Sequence, residues 1–414
     1  MLLLVFYNVR SERELMQTIP ERLDWLWFLG YDLDSKIPNH SVLSKARNRW
    51  GEKIFREFFE RIVTQCVEAG LVDGEKIFMD SSLIEANASR NSIVNTKSLK
   101  RLLNKRYVVM EKRLEEIQDE ANANRLYRKV NSEHISTTDP EAGIVNYGKK
   151  KLYYKTHRAV EGRSEVITAV EVTAGDVNEA HRLDSLWQLH EKNTEQQAKT
   201  IVADSKYGTA ENYLYCYINK IKAHMPDLKG KTESKKQQKV FLEKEFTYDS
   251  KLDAYMCPAG KLLKRATIVR ARNSYEYRST KEQCENCYLR DRCTQSKRGR
   301  SIKRHMNQEE LDRMRSSANG FAAKKDIATR QHLMERSFGK STRYHFKRAR
   351  WRGNWRVYIQ ELLICTIENI QILIKPRVKR NPAVANEMRQ EVRMQSIHRL
   401  IYINCTRTQI LCVY

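Results

Sequence analysis

A mixed α/β fold preceded by an all-helical segment is predicted by three patterns. Apolar residues recur at helical spacing over residues 1–70, apolar runs of strand length begin near residue 75, and a long helical apolar run returns before Pro376. Ser11 and Glu14 form a capping box ahead of LMQTIPERL, and the next run, LDWLWFLG, stops at Gly30. After the turn DSKIPNH, Ser41 caps the short helix SVLSKARNRW. Gly51 opens a longer helix in which Ile54, Phe58, Ile62 and Cys66 recur every four residues, with Phe55, Phe59 and Val63 alongside. Lys45, Arg47 and Arg49 on the shorter helix leave two readings open, a DNA-contacting helix-turn-helix and a plain helical bundle.

KIFMD is too short for a helix and reads as a strand, followed by a loop rich in Asn, Ser and Thr. Residues 97–130 form a charged helix with Leu99, Leu103, Met110, Leu114 and Ile117 on one stripe. KKLYYKTHRAVEGRSEVITAVEVTAG reads as two strands joined by a tight Glu161-Gly162 turn. EAHRLDSLWQLHEK is a helix, TIVAD a buried strand and TAENYLYCYINK another helix. A basic polar stretch, KGKTESKKQQK, then opens a cysteine-bearing region with strand-like pieces TIVRAR and YEYRST. Helical pattern resumes at NQEELDRMRSSANG and runs through Glu335. VYIQELLICTIENIQILI reads as a buried core helix despite Gln360, Glu361, Glu368, Asn369 and Gln371. The expected organisation is a helical domain at 1–70, a second domain at 71–227 carrying the 97–130 helical insertion, a cysteine-rich insertion at 228–306, closing helices at 307–376 and a tail at 377–414.

The 414 residues are 41% hydrophobic, enough for a large core and more than one domain. Lys and Arg outnumber Asp and Glu by 76 to 51, a net charge of +25. Phosphate polyanions are the commonest counter-surface for such an excess, so nucleic acid is the expected partner; a solvated basic face is the bland alternative. The apolar start MLLLVFY is too short for a signal peptide or a spanning helix, which places the chain in the cytoplasm or the bacterial nucleoid. Nine cysteines, an odd number in a reducing compartment, argue against a disulfide framework.

Three acids draw the chemistry together. Asp80 closes the first strand, Asp204 closes TIVAD and Glu335 stands on the late helix. Taken singly, an Asp after a strand is usually a turn residue or a cap, and a helical Glu is usually solvated. The element order gives them weight: strand, helical insertion, two strands, helix, strand, helix, inserted region, helix is the order of an RNase H-like fold. In that fold a mixed five-stranded sheet flanked by helices brings such acids to one edge. Hard dications take oxygen ligands, and two of them about 4 Å apart can serve the attacking and leaving oxygens of a phosphodiester. Magnesium, or manganese in its place, is the expected pair of ions, with Asp80 as the bridge. Glu85, Asp176, Glu179 and Asp184 compete for the role. Cys257 and Cys293 flank the Cys284-x2-Cys287 pair, and four thiolates at such spacing suit one structural zinc; four reduced structural thiols are the alternative.

These segments resemble the DDE transposases of bacterial insertion sequences, in the branch with a helical N-terminal domain and an insertion before the glutamate. The resemblance covers roughly residues 1–375. It is carried by RSERELMQTIPERLDWLWFLGYDL, IPNHSVLSKARNRW, MDSSLIEANAS, YKTHRAVEGRSEVITAVEVTAGDVNEAHRL, VADSKYGTAEN and MERSFGKSTRYHFKRARWRG, in that order. It implies that Asp80, Asp204 and Glu335 are the catalytic acids. It also implies hydrolysis at the element's terminal inverted repeats, then attack of the freed 3′-hydroxyl on target DNA, by a dimer on double-stranded DNA. Relatives share the cysteine pattern.

Many relatives place a Tyr and an Arg before the glutamate and a Lys after it; here Arg330 and Lys340 each stand five residues away and no tyrosine precedes nearby. Arg336, Lys340 and Arg343 fall on one helical face beside Glu335 and are expected at phosphates, as is Lys206. Arg350 and Arg352, interleaved with Trp351 and Trp355, suit either nucleotide contact or core packing. His157 reads as a half-buried histidine or a neighbour of the metal site, and Tyr207 as a residue at the site edge. The start before RSERE and the tail after Pro376 depart from the family pattern. Two alternatives therefore accompany the transposase reading: a nuclease of the same fold that does not join strands, and a DNA-binding protein that has lost catalysis.

Overall fold

The computed structural model describes residues 1–96, 131, 133–147, 149–228 and 240–375. The helical insertion expected at 97–130, the KGKTESKKQQK stretch and the tail at 377–414 lie outside the described residues. The chain divides into two compact units, one holding the residues up to Ile201 and those from Ala328 onward, the other Val202–Ile327.

The first unit opens with five helices: α1 (Leu2–Phe6), α2 (Glu12–Thr18), α3 (Leu23–Leu29), α4 (Ser41–Trp50) and α5 (Lys53–Glu68). The Ser11 hydroxyl accepts the Glu14 N–H at 3.1 Å, as the capping box requires. Gly30 ends α3 in the left-handed region at φ 72°. Ser41 is the first residue of α4 and not its cap; His40 takes the cap position, and the Asn39 Oδ1 accepts the Ser41 N–H at 3.0 Å. Leu3, Leu4, Leu15, Ile19, Trp25 and Leu26 are buried together, each worth about 1.5–3 kcal/mol of transfer free energy if fully buried. Arg47 is buried too, ion-paired with Glu12 and stacked 4.2 Å from the Trp351 ring centroid. The buried stripe of α5 is Phe55, Phe59, Ile62, Val63 and Cys66.

A mixed sheet follows, built from β1 (Lys76–Glu85), β4 (Gly143–Tyr147), β5 (Lys149–Glu161), β6 (Ile167–Ala174) and β7 (Thr200–Val202). Its order is β4-β5-β1-β7, with β6 paired to β5. A separate two-stranded ribbon joins β2 (Ile93–Asn95) to β3 (His134–Ser136). β5 is antiparallel to β1, β4 and β6, with Asp80 opposite Arg158 and Ser81 opposite His157. The β5–β6 connection is longer than the expected two-residue turn. It runs over 162–166, and the Glu161 carboxylate accepts the N–H groups of Arg163 and Ser164 at 2.9 and 2.6 Å. His157 is fully buried, not half-buried: its Nε2 lies 2.9 Å from the Thr173 hydroxyl and burial lowers it to about 3.

Helix α6 (Leu183–Thr194) packs on β6, and the chain enters the second unit after β7. That unit contains α7 (Ala210–Ile218) and β8 (Lys222–His224). It continues with an antiparallel five-stranded sheet in the order β13-β12-β11-β10-β9. Its strands are β9 (Thr247–Asp249), β10 (Ala254–Met256), β11 (Leu262–Val269), β12 (Ser274–Arg278) and β13 (Ser301–His305). Phe246, Tyr255, Leu263, Tyr277 and Ile302 form its core. Between β12 and β13 lie the short helices α8 (Lys281–Glu285) and α9 (Arg290–Cys293). Helix α10 (Gln308–Ala318) packs on α7 and β8.

Helix α11 (Phe321–Ser341), from Ala328 onward, and α12 (Asn354–Leu373) close the first unit. The polar residues that interrupt α12 turn inward and are partnered. The Asn369 amide exchanges two 2.8 Å hydrogen bonds with the Ile167 backbone. Glu361 and Glu368 receive the fully buried Arg158, whose Nη2 lies 2.9 Å from Glu361. Burial opposes that guanidinium's charge; Cys365, Glu361 and Glu368 more than offset it and raise its pKa. Among the described residues, no helix is long and apolar enough to cross a membrane.

Candidate active site

Asp80 does not close its strand as expected: the SSLIE residues after it go on pairing with β5, so it stands in the middle of β1, which presents it to the helix that carries Glu335. The Asp80 Oδ2 accepts a 2.6 Å charge-assisted hydrogen bond from Arg330 Nη1, with the guanidinium 13% and the carboxylate 25% exposed. Farther along α11, the Ser337 and Ser341 hydroxyls accept from Arg158 Nη1 at 3.5 and 2.9 Å. Arg158 is the residue opposite Asp80 on β5, and residues directly opposite in a sheet project to the same face. One helix therefore covers both members of that pair, Arg330 over Asp80 and Ser337–Ser341 over Arg158. Arg330, Met334, Ser337 and Ser341 follow at steps of four, three and four, the spacing of one helical face.

Glu335 is exposed on the flank of that face and accepts a 3.2 Å hydrogen bond from Gln331 Nε2. Asp204 stands in the second unit at the start of a turn, where its Oδ1 accepts the Lys206 N–H at 2.9 Å. Tyr207 is fully buried in that unit. Among the described residues, no three His, Cys, Asp or Glu side chains gather as a metal-holding group.

Two of the competing acids, Glu85 and Glu179, have other duties. Glu85 pairs with Lys151 at 3.1 Å, and buried Glu179 accepts the Ser81 hydroxyl on the strand face opposite to Asp80. Among the expected phosphate contacts, Arg336 and Lys340 both pair with Glu165, the latter at 2.7 Å. Arg350 donates 2.7 Å hydrogen bonds to the Val9 carbonyl and Asn8 Oδ1, which ties it to the N-terminal helices. Arg343 and Arg352 are exposed. Trp351 packs against the N-terminal core and donates to Glu12, which favours the core-packing reading for that tryptophan.

In the second unit, Cys257, Cys284, Cys287 and Cys293 line one small cavity of about 20 Å³, room for a single water-sized body. The Lys261 N–H donates to Cys257 Sγ at 3.2 Å, and the Ser279 hydroxyl lies 2.9 Å from Cys284 Sγ. Burial raises the Cys293 thiol, a rise that Arg300 counters and the other three cysteines reinforce. Four sulfurs match zinc in donor type, but among the described residues they are not drawn together into a metal-holding group.

Two family profiles match the chain, Transposase DDE domain over residues 256–374 and Transposase domain (DUF772) over residues 1–49. The chain is similar to insertion-sequence DDE transposases. Comparison with curated proteins and with solved structures gave no match. The longer transposase match spans Glu335, Arg330, all four cavity cysteines and α12; the shorter spans α1 to most of α4. Transposase families act on DNA, and the net charge of +25 suits such a partner.

Sequence reasoning singled out Arg330 only by its distance from Glu335. Nothing in the spacing marks it as the partner of an aspartate 250 residues earlier.

Proposed function

We propose that this chain is a DNA transposase whose reaction centre is made by Asp80, Asp204 and Glu335 on an RNase H-like scaffold. The reading is supported above all by the seating of the Glu335 helix against Asp80 through Arg330, in a chain with two transposase matches. The three carboxylates suit a hard dication in donor type, and Arg330 already neutralises Asp80 as a cation would. Asp80, Asp204 and Glu335 would hold magnesium or manganese, two ions, which supply charge stabilisation at the attacking and leaving oxygens.

The chain's own part is to place the DNA. Arg343, Arg352 and Lys206 take backbone phosphates, while Arg336, Lys340 and Arg350 brace the fold through Glu165 and Asn8. Residues 1–70 contribute to holding the element ends, and the elements of 71–227 and 307–376 form the catalytic domain. The 228–306 region is a zinc-stabilised insertion. Water and then the 3′-hydroxyl act in turn as nucleophiles, and holding two DNA ends calls for a dimer on DNA, in the bacterial nucleoid.

Incubating pre-cleaved element ends with supercoiled plasmid and magnesium tests the reading. Joined product is expected. Cleavage without joining would make the chain a nuclease, and DNA binding with neither activity would make it a non-catalytic DNA-binding protein.

A further inference from the structure

A second basic site lies at the far end of β1. A polar cavity of about 400 Å³ there is lined by Arg90, Lys151, Arg348 and Arg352, with Ser89 and Glu85 among its other walls. Three separate stretches of the chain supply the cations: the loop after β1, the start of β5 and the segment before α12. The backbone fixes their meeting. The Glu85 N–H donates to the Lys347 carbonyl at 2.9 Å, and the Ala349 N–H donates to the Glu85 carbonyl at 2.8 Å, so the Arg348 segment is stitched to the strand end. Arg352 Nε donates to the Asn87 carbonyl at 2.9 Å, which pins one guanidinium by one nitrogen and leaves its fork directed by that anchor.

The charge balance defines the ligand. Glu85 offsets Lys151 at 3.1 Å, and the three arginines remain in excess around the cavity. Arginine forks in a concave polar wall match phosphate oxygens better than carboxylates on a flexible chain, because two parallel N–H groups meet two oxygens of one group. The site is also separate from the proposed reaction centre. Glu85 is five residues beyond Asp80, about 16 Å of strand rise, and an odd step sends the two side chains to opposite faces of the sheet.

We propose that this cavity binds a backbone phosphate of DNA away from the bond that reacts. The proposal rests on the transposase reading for its choice of DNA over other phosphate ligands. Its contribution is a second hold on a duplex, one that sets where DNA lies and leaves the chemistry to the acids.

The test uses the full chain, a 30-base-pair duplex and EDTA, with dissociation constants taken between about 50 and 200 mM salt. The double variant Arg90→Glu, Arg348→Glu is compared with Lys264→Glu, Arg270→Glu, which makes the same charge change at exposed positions in the second unit. The expected result is an affinity loss of tenfold or more for the cavity variant. Its log–log salt slope should also become shallower by about one, the loss of one phosphate contact. The second-unit variant should keep the parent slope. Equal losses in both variants, or a cavity variant that binds like the parent, overturn the proposal and leave the transposase reading standing. A parent chain that does not bind the duplex at all overturns both. Urea unfolding of the cavity variant with the parent's midpoint shows that an affinity loss is not a folding loss.

Discussion

At Asp80 the carboxylate already holds a cation, the Arg330 guanidinium, at 2.6 Å. A dication and a guanidinium that seek one carboxylate compete, so removing one favours the other. Arg330→Ala is expected to tighten manganese binding to the DNA-free chain by threefold or more, read by electron paramagnetic resonance of free manganese. An unchanged affinity would show that Asp80 is not a ligand or that Arg330 does not guard it. Asp80→Asn keeps the side-chain volume and removes the charge. Magnesium-dependent strand cleavage should fall by about a thousandfold or more, since metal charge stabilisation is worth several kcal/mol. Duplex affinity in EDTA should stay within about threefold, because phosphate contacts elsewhere dominate it. At this scale the sequence told part of the story. Asp80, Asp204 and Glu335 were legible as candidate acids after apolar runs and on a late helix, but the place of Asp80 was misread: it lies in the middle of β1 and not at its end. The Arg330 partner and the Arg90–Arg348 cavity were not, because each joins residues that no periodicity connects. Arg47 is buried against Glu12 and Trp351 and serves the packing of the N-terminal helices, while Lys45 and Arg49 beside it are exposed.

Among the elements, α11 is held by an ion network in the core. Arg158 meets Glu361 at 2.9 Å, Glu368 at 3.9 Å and the Ser341 hydroxyl at 2.9 Å, and the two phenylalanine rings of Phe338 and Phe346 close over its guanidinium. Truncating one member leaves buried charge without a partner. Arg158→Met should cost about 3–5 kcal/mol in urea unfolding, and adding Glu361→Gln should return part of that loss. A double variant no more stable than the single would show that the carboxylate is not what the methionine leaves stranded. Element by element, the long periodic pieces were readable: α5, α6, α7, α10 and α12 all stand where their apolar spacing put them. The polar residues of α12 broke its apolar run in sequence, and only packing reveals that Asn369 pairs with the Ile167 backbone. Strand β4 went unread, a five-residue run whose strand character comes from its partner β5. The second unit's sheet showed only as two fragments, because β9 and β10 are three residues each and β11 carries an exposed face without clean alternation.

For the molecule as a whole, two bulk measurements bear on the account. Purified chain should carry about one zinc per molecule by elemental analysis, and Cys284→Ser with Cys287→Ser should carry none; a metal-free parent would leave the four cysteines as reduced thiols around a small cavity. Acid sensitivity has a named source in His190. Its Nδ1 lies 2.8 Å from the Thr168 hydroxyl, and burial lowers the imidazole from 6.5 to about 4. As pH falls below 6.5 the unfolded chain takes up a proton that the folded chain refuses until about pH 4, so stability present above 6.5 is lost through that window. Between pH 7.5 and 5 this group alone should remove about 2 kcal/mol, and His190→Gln should make the fall of the urea midpoint over that range shallower, leaving the share of buried His157, which burial also lowers. A variant with the parent's full acid loss would assign the sensitivity elsewhere.

The central claim is that Asp80, Asp204 and Glu335 share a metal centre, and a crystal structure of the manganese-soaked chain reads it most directly. Anomalous density bounded by all three carboxylates, with Arg330 drawn off Asp80, is the predicted result. Manganese bound elsewhere, with Arg330 still on Asp80 and Glu335 in solvent, would contradict it.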